Sequence, residues 1–344
     1  MLTTPSPAAY APLPAEIKKT AQFIASQQMR DGAIPWFENG KLDPWDHTEA
    51  AMGLSVAGLF DEAERAYLWL AETQLADGSW WANYFEQSTQ ALRETNFIAY
   101  VATGIWHHYC VTGRESFLAR MWPMVERAIN FVLQQQSSEG EIAWAVDSDG
   151  AAQNDALITG CSSILRSLEC AVKIARTLNF AKPKWLHGGH QLAQALQFKP
   201  FRFDRTWESK SRFAMDWYYP ILSGVLTPKE MQTRLQKRWH EFVKPNLGCR
   251  CVNDEPWVTM AETSELVIAL VAAQHMEQAQ QIFAPLERWC TEDGGYWTGY
   301  VYKDNAIWPE ETTTWTAGAV LLAADALHRL TPAHRLFTEV SIFR

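Results

Sequence analysis

One kind of segment recurs six times along this 344-residue chain, and the repeat limits the folds that the chain can adopt. Each copy sets an acidic residue among aromatic, Thr or Ser residues and then opens an apolar helix rich in small residues. The steps between the acidic residues are 48, 61, 61, 46 and 48 residues, along the series Asp46, Glu94, Asp155, Asp216, Glu262 and Glu310. A period of this size indicates a repeat architecture.

Two kinds of helix alternate along the repeat. Residues 61–74 and 124–136 carry apolar side chains on one face only, which indicates helices with one solvated face. Residues 265–273 and 317–327 are apolar nearly all round, which indicates helices buried on every side. Six alternations of outer and inner helices predict two concentric rings. We therefore expect an all-α fold, an (α/α)6 barrel (toroid) of six helical hairpins.

The repeat also sets the expected domain boundaries. Length alone suggests two domains, because a typical domain holds about 100–200 residues. The repeat, however, runs through the whole chain. We expect an extended N-terminal arm at 1–14, a single barrel domain at 15–335 and a C-terminal tail at 336–344.

The connections between the helices are unequal in length. Those leading from an inner helix to the next outer helix are short, as at 58–64 and 108–116. Those leading from an outer to an inner helix are long and rich in Gly and aromatic residues. Long ordered loops usually carry function. Because these loops share one end of the barrel with the inner-helix N-termini, we expect the functional site there.

Carboxylates and tryptophans gather at that end, and the combination suits a carbohydrate. Hydrolysis of a glycoside needs one acid paired with a base or nucleophile. A helix cap is the alternative role of each acid, and packing between hairpins is the alternative role of each tryptophan. We expect hydroxyl-orienting carboxylates at Asp46, Glu94, Asp155 and Glu262, and stacking surfaces at Trp36, Trp45, Trp81, Trp144, Trp257 and Trp308.

Charge and cysteine usage argue against several classes of function. The net charge of −9 and the absence of a basic run argue against a nucleic-acid partner. No window approaches the apolar length of a membrane span. The "CRC" at 249–251 is too closely spaced for a metal finger. We expect reduced thiols in the cytoplasm, no metal and no cofactor, while the oligomeric state stays open.

Two stretches resemble the six-hairpin glycosidases, especially the glucoamylase-like branch. Residues 94–144, with "HYCVTG" followed by the helix "WPMVERAINFVL", are similar to the part of those enzymes that precedes the general acid. Residues 308–327, "WPEETTTWTAGAVLLAADAL", are similar to the segment that carries the general base. The resemblance implies an acid at Asp147 or Asp149 and a base at Glu310 or Glu311.

A second resemblance is to the terpenoid cyclase and protein prenyltransferase toroid. The stretch "WLAETQLADGSW" (69–80) fits its repeated aromatic-Leu-x3-Gln-x3-Gly-x-Trp signature, with weaker copies at 23–36, 131–144 and 288–297. In that family the motif staples an outer helix to the neighbouring loop. The resemblance therefore implies a packing role for Trp80 and leaves Trp81 as the better candidate for a ligand contact.

These observations lead to one expectation and two alternatives. We expect a carbohydrate-active enzyme, a glycoside hydrolase whose carboxylate pair acts on a small-molecule or oligosaccharide substrate in a Trp-lined cleft. The first alternative is an isoprenoid cyclase or transferase, because an aromatic cavity with an acid also suits carbocation chemistry. The second is a toroid that binds glycans without cleaving them.

Overall fold

The computed structural model describes residues 14–84 and 91–344, so nearly all of the predicted arm at 1–14 lies outside the described residues. Twelve α-helices follow one another along the described chain. They are α1 (Ala15–Gln27), α2 (Pro44–Val56), α3 (Phe60–Thr73), α4 (Thr95–Thr112), α5 (Glu115–Gln134), α6 (Ile158–Thr177), α7 (Pro183–Phe198), α8 (Ala214–Leu222), α9 (Pro228–Phe242), α10 (Met260–Ala272), α11 (Met276–Phe283) and α12 (Thr314–His328).

The even-numbered helices form a closed ring. Each of α2, α4, α6, α8 and α10 contacts the next even-numbered helix, and α12 contacts α2. The odd-numbered helices lie outside: α3, α5, α7, α9 and α11 each pack on the inner helix that precedes them, and α1 packs on α12. This arrangement fits the expected (α/α)6 toroid.

Burial follows the two helix types that the sequence predicts. In α10 every residue from Met260 to Leu270 is buried, and in α12 nearly all are. In α3 the buried side chains are one stripe that includes Ala63, Tyr67 and Leu70. Burying this apolar surface is the main favourable contribution to folding. Within residues 14–84 and 91–344 the helices are all too short or too polar to be membrane spans.

The fold is not purely α-helical, because short strands form two antiparallel sheets. The all-α prediction did not include these strands, because segments of two or three residues are too short to show the alternation of apolar and polar residues that indicates a strand. The smaller sheet pairs β1 (Arg93–Glu94) with β2 (Ala145–Val146). The larger has the order β3 (Val243–Lys244), β4 (Gly248–Arg250), β5 (Trp257–Thr259), β6 (Gly299–Val301) and β7 (Ala306–Ile307).

Glutamine side chains staple successive outer helices together. The side-chain amide of Gln74, just after α3, donates to the carbonyl of Gly78 in its own turn (2.9 Å) and to the carbonyl of Met124 in α5 (3.0 Å). Gln28 makes the same pair of bonds towards α3, and Gln136 makes it towards α7. The repeated Gln-x3-Gly motif therefore has a structural role here.

The C-terminal segment 336–344 packs against the end at which the inner helices finish. The Ser341 N–H donates to the carbonyl of Gly224, just beyond α8 (3.0 Å). The buried Arg166 of α6 donates to the carbonyl of Glu339 (2.8 Å). The segment thus closes the barrel on the side away from the long loops.

Candidate active site

The six acidic residues of the repeat lie in or just before the first turn of an inner helix, where the repeat predicts them. Asp46, Asp216 and Glu262 are in the first turns of α2, α8 and α10. The other three precede their helices by one to four residues: Glu94 before α4, Asp155 before α6 and Glu310 before α12. Their environments differ greatly.

The N-terminus of α2 carries charged and aromatic side chains in mutual contact. The Asp43 carboxylate caps the helix, since its Oδ1 accepts the N–H of Asp46 (2.9 Å). Its Oδ2 accepts the indole N–H of Trp36 (3.2 Å) and lies 3.8 Å from Nζ of Lys41. The Lys41 ammonium is also 3.9 Å from the centre of the Trp36 ring. Both oxygens of Asp43 are therefore engaged.

Two carboxyls near this cap hold their protons more tightly than usual. Burial, together with the charge of Asp43 and a hydrogen bond to it, raises the pKa of Asp46 well above its usual range. Burial and the Asp43 charge raise the pKa of Glu94 to about 7. A carboxyl that keeps its proton near neutral pH can donate it to a leaving group. Asp46 and Glu94 are thus suited to act as acids.

A second group of carboxyls lies at the N-terminus of α10. Glu262 is buried in the first turn, and its Oε2 makes no hydrogen bond with any described residue. The carbonyl of Glu311 accepts the N–H of Thr298 (3.0 Å), whose own carbonyl accepts the N–H of Met260, the first residue of α10 (3.1 Å). Glu311 therefore lies beside this helix end, and burial raises the pKa of its half-buried carboxyl.

The loop between α1 and α2 connects these two groups. The Trp36 carbonyl accepts the N–H of Thr314, the first residue of α12 (2.8 Å), and the Trp36 ring lies 5.8 Å from that of Trp315. In the inner ring α12 lies between α2 and α10. The charge of Glu262 also acts on Glu49 of α2. The acid at the N-terminus of α10 therefore interacts electrostatically with a carboxyl of α2.

Sequence reasoning missed a deeper pair of buried carboxyls, Glu49 and Glu265. Each follows a predicted acid by three residues and so lies one turn further into its helix. Glu49 Oε2 accepts the indole N–H of Trp45 (3.0 Å), and both oxygens of Glu265 accept phenol O–H groups, from Tyr218 and Tyr219. The i, i+3 spacing of acids in "DHTE" and "ETSE" is the sequence signal for this pair.

Asp155, before α6, has the opposite environment. Its Oδ1 accepts the N–H of Ala156 (2.8 Å), and its Oδ2 accepts both the N–H (2.6 Å) and the hydroxyl (2.8 Å) of Thr206. Burial opposes ionisation, but hydrogen bonds from Arg205, Thr206 and Ala156 outweigh it and lower the pKa of Asp155. These contacts engage both oxygens of Asp155, and its role in orienting a substrate hydroxyl stays a prediction.

The candidates named by resemblance are scattered at loops around the barrel end. Asp147 Oδ1 accepts the N–H groups of Asp149 (3.0 Å) and Ala151 (2.9 Å), which are the contacts of a turn residue. The side chains of Asp149 and Glu310 are exposed. Of the four resemblance-based candidates, Glu311 is the one whose contacts reach an inner helix with a buried acid.

The predicted stacking tryptophans fall into two classes. Trp45 is only 7% exposed, because its ring packs against those of Phe97, Tyr100 and Tyr219 at 5.1 to 5.8 Å. Its predicted role as an open stacking surface is thus corrected to that of a buried support for Glu49. Trp36 and Trp81 are half-buried at the loop end, and Trp81 lies 5.6 Å from the guanidinium of Arg93.

The other predicted tryptophans are paired. The indole N–H of Trp257 donates to the carbonyl of Trp308 (2.8 Å), and their rings meet edge to face at 5.1 Å. Trp308 is 57% exposed, which leaves most of its ring open. The ring of Trp144 meets that of Trp207 edge to face, with 5.7 Å between the ring centres. Trp80 is fully buried and donates to the carbonyl of Leu70 (2.9 Å), which agrees with its implied packing role.

Several solved structures share this fold. A wild-type glycosidase superposes with a TM-score of 0.72 at 13% identity, covering 92% of this chain and 96% of that one. A D-mannose isomerase superposes with a TM-score of 0.70 at 12% identity and the same coverage. Identities this low show similarity of fold. No family model matches the chain.

Curated relatives add sequence similarity. An uncharacterised glycosyl hydrolase of Methanocaldococcus jannaschii is 28% identical over 89 residues, which are 25% of this chain and 14% of that protein. The MMP endo-(1,4)-3-O-methyl-alpha-D-mannosidase of Mycolicibacterium hassiacum is 46% identical over 332 residues, covering 96% of this chain and 91% of the relative. These findings support a glycoside hydrolase of the six-hairpin glycosidase-like superfamily, and the chain belongs to the family of that mannosidase.

Proposed function

We propose that the chain is an endo-acting glycoside hydrolase that cleaves (1,4)-linked 3-O-methyl-α-D-mannose units, within an (α/α)6 toroid. The substrate class is taken from the mannosidase relative, which is 46% identical over nearly the whole chain. The observation that carries the proposed chemistry is the group of carboxyls with raised pKa at the N-termini of α2 and α4, in the same ring of inner helices as the α10 group.

Asp46 is the proposed general acid. Its raised pKa favours the protonated form, which can deliver a proton to the glycosidic oxygen. Glu262 is the proposed second carboxylate, because it lies in the first turn of α10 and its buried Oε2 has no hydrogen-bond partner among the described residues. Glu311, beside the same helix end, is the alternative for this second role.

The aromatic residues at the loop end supply the proposed sugar-binding surfaces. Trp308 offers an open ring, and Trp36 and Trp81 offer half-exposed ones. A methylated sugar ring presents more apolar surface than an unmethylated one, so it gains more from burial against such rings. Glu94 and Lys41 are the proposed polar groups for its hydroxyls.

The cavity inside the barrel argues against the isoprenoid alternative. The enclosed space next to the carboxyls has a volume of about 20 Å3 and is lined by Glu49, Tyr100 and Glu265 among others. That is room for a single water, whereas cavities for organic ligands have volumes of about 300–1,000 Å3. A filled interior leaves the loop end of the barrel as the proposed place for a sugar chain.

The test is to incubate the purified protein with (1,4)-linked 3-O-methyl-α-mannose oligosaccharides and follow chain length by mass spectrometry. We expect internal cleavage by the wild type and none by Glu262→Gln or Asp46→Asn with the fold intact. Unmethylated α-mannose oligosaccharides serve as the substrate control and should be cleaved more slowly. Binding of the oligosaccharide without any cleavage would instead identify a glycan-binding toroid.

A further inference from the structure

A buried arginine at the loop end of the barrel has no part in the proposed chemistry. Arg93, the first residue of β1, is only 7% exposed and comes directly before Glu94. A buried charge costs free energy unless its partners compensate for it. The contacts of Arg93 therefore indicate what this charge does.

The Arg93 guanidinium joins two loops to β1. Its Nη1 donates to the carboxylate of Asp77, in the turn that follows α3, and its Nη2 donates to the carbonyl of Asp147, in the loop before α6. The other oxygen of Asp77, Oδ1, accepts the N–H (3.0 Å) and the hydroxyl (2.6 Å) of Ser79. Arg93 therefore holds a turn that is also fixed by its own hydrogen bonds.

The same guanidinium lies against the ring of Trp81. Its carbon is 5.6 Å from the centre of the Trp81 ring and 5.7 Å from that of Phe131, a buried residue of α5. Both distances are within the range of cation–π attraction. Trp80, the preceding residue, is fully buried and bonded to the carbonyl of Leu70. The position of Trp81 is therefore set by its chain neighbour and by Arg93, while Trp81 itself is half-buried.

The segment that carries Trp81 is bonded to the loop before the proposed acid. Tyr84, three residues after Trp81, exchanges two backbone hydrogen bonds with Leu42 (2.8 and 3.1 Å). Leu42 directly precedes Asp43, the cap of α2, and Asp46 is in the first turn of that helix. The Trp81 segment and the proposed acid therefore belong to neighbouring parts of the loop end.

Arginine suits this position better than lysine. Its planar, forked guanidinium can bind a carboxylate and a carbonyl at once and still lie against an aromatic ring. A lysine ammonium is a point charge without a planar face, so it would not keep all of these contacts. The substitution Arg93→Lys therefore keeps the charge and removes the fixed geometry.

From these contacts we propose that Arg93 is a positioning residue for substrate binding. It holds the ring of Trp81 in the orientation in which a methylated mannose unit stacks on it. The inference rests on the proposed function, in which Trp81 is one of the sugar-binding rings. Arg93 acts through Trp81 and does not touch the reacting atoms.

The first test is a double-mutant cycle of Arg93→Lys and Trp81→Ala, with KM and kcat measured on the methylated mannose oligosaccharide. We expect each single variant to raise KM by about tenfold and to leave kcat within about twofold, because stacking stabilises the bound substrate and the transition state alike. In the double variant KM should rise no further than in Trp81→Ala, since Arg93 acts through that ring. Effects on KM that simply multiply would overturn the proposal.

The matched control is Arg166→Lys. Arg166 is also buried, and it donates to the carboxylate of Glu169 (2.9 Å) and to the carbonyls of Leu222 (3.1 Å) and Glu339 (2.8 Å), at the end that the C-terminal segment closes. Its substitution should lower the melting temperature and leave KM unchanged. A rise in KM equal to that of Arg93→Lys would show a general effect of losing a buried arginine, and would overturn the proposal.

A milder variant keeps the test decisive if Arg93→Lys does not fold. Asp77→Asn removes the charge that binds the guanidinium and leaves a side-chain oxygen for the hydrogen bonds from Ser79. KM should rise in the same direction, though less than in Arg93→Lys. An unchanged KM with the fold intact would contradict the proposal.

A readout that needs no cleavage separates this inference from the proposed function. Fluorine-19 NMR of the protein labelled with 5-fluorotryptophan, with the Trp81 signal assigned from Trp81→Phe, reports the surroundings of that ring. If the oligosaccharide is cleaved but leaves the Trp81 signal unmoved, the inference fails and the proposed hydrolase stands. If nothing is cleaved, but the oligosaccharide shifts the Trp81 signal in the wild type and not in Arg93→Lys, the inference stands and the proposed hydrolase fails.

Discussion

Asp46 and Asp155 occupy corresponding places in the repeat, yet their environments are opposite. Asp155 receives three hydrogen bonds, two from backbone N–H groups and one from a hydroxyl, and its pKa is lowered. Asp46 lies beside another carboxyl and above a third, and its pKa is raised. Acids at corresponding inner-helix N-termini thus have opposite pKa shifts, according to whether the adjoining loop supplies hydrogen bonds to them.

The largest expected difference between the two regions is in catalysis. Asp46→Asn and Glu262→Gln should each lower kcat/KM by about 1,000-fold, since a positioned acid or base contributes about 100- to 10,000-fold. Asp155→Asn should leave kcat/KM within a few-fold of the wild type. Initial rates on the methylated mannose oligosaccharide measure all three. Near-complete loss of activity in Asp155→Asn, with its fold intact, would instead place the catalytic site at the N-terminus of α6.

Stability should change in opposite directions in the two regions. Asp155→Asn should lower the free energy of unfolding at pH 7 by about 1–3 kcal/mol, because buried donors lose a charged acceptor. Asp46→Asn should raise it, because a pKa raised by folding means that ionising Asp46 costs stability above its unfolded pKa, and Asn does not ionise. Urea denaturation at pH 7 measures both. Equal losses of unfolding free energy in the two variants would contradict the opposite environments of Asp46 and Asp155.

The pH dependence of stability provides a smaller effect at the same end of the ring. The pKa of Glu94 rises from 4.5 to about 7 on folding, so its folded form binds more protons between these values. The free energy of unfolding should therefore fall as pH rises through that window, by at most about 1.4 kcal/mol per pH unit. Glu94→Gln should flatten this slope in denaturation curves at pH 5, 6, 7 and 8. An unchanged slope would show that Glu94 is ionised in the folded protein.

The smallest effects are expected for the acids of the loop before α6. Asp149→Ala should change kcat/KM by no more than about twofold, because its side chain is exposed. Asp147→Ala should cost about 1 kcal/mol through its lost turn hydrogen bonds and leave kcat/KM similarly unchanged. A 100-fold loss of activity in either variant would return the general acid to the position that the glucoamylase-like resemblance implies.

Much of the architecture could be read from the sequence. The spacing of the acids and the alternation of one-sided and fully apolar helices predicted the inner and outer helices, because burial on one face or on all faces leaves a direct trace in composition. The short β-sheets left no comparable pattern in the sequence. The Gln-x3-Gly staples were predictable because the Gln and Gly that form each turn are neighbours in sequence.

The chemistry of the site was less predictable. The acids could be placed at helix ends, but Asp155 is saturated by Thr206, a residue 51 positions away, and local sequence does not contain that contact. Glu49 and Glu265 look like polar interruptions in apolar helices until the ring brings them together. Trp45 was expected to be open because it lies near a loop, whereas three aromatic rings from neighbouring helices cover it.

The closure of the inner ring has a consequence for biosynthesis. The contact of α12 with α2 joins residues that are more than 250 positions apart, and α1 also packs on α12. While the chain is being translated, the faces of α2 and α1 that pack on α12 therefore have no final partner until α12 has left the ribosome. The newly made chain should depend on chaperones during that interval, and truncations within α12 should aggregate rather than form a smaller barrel.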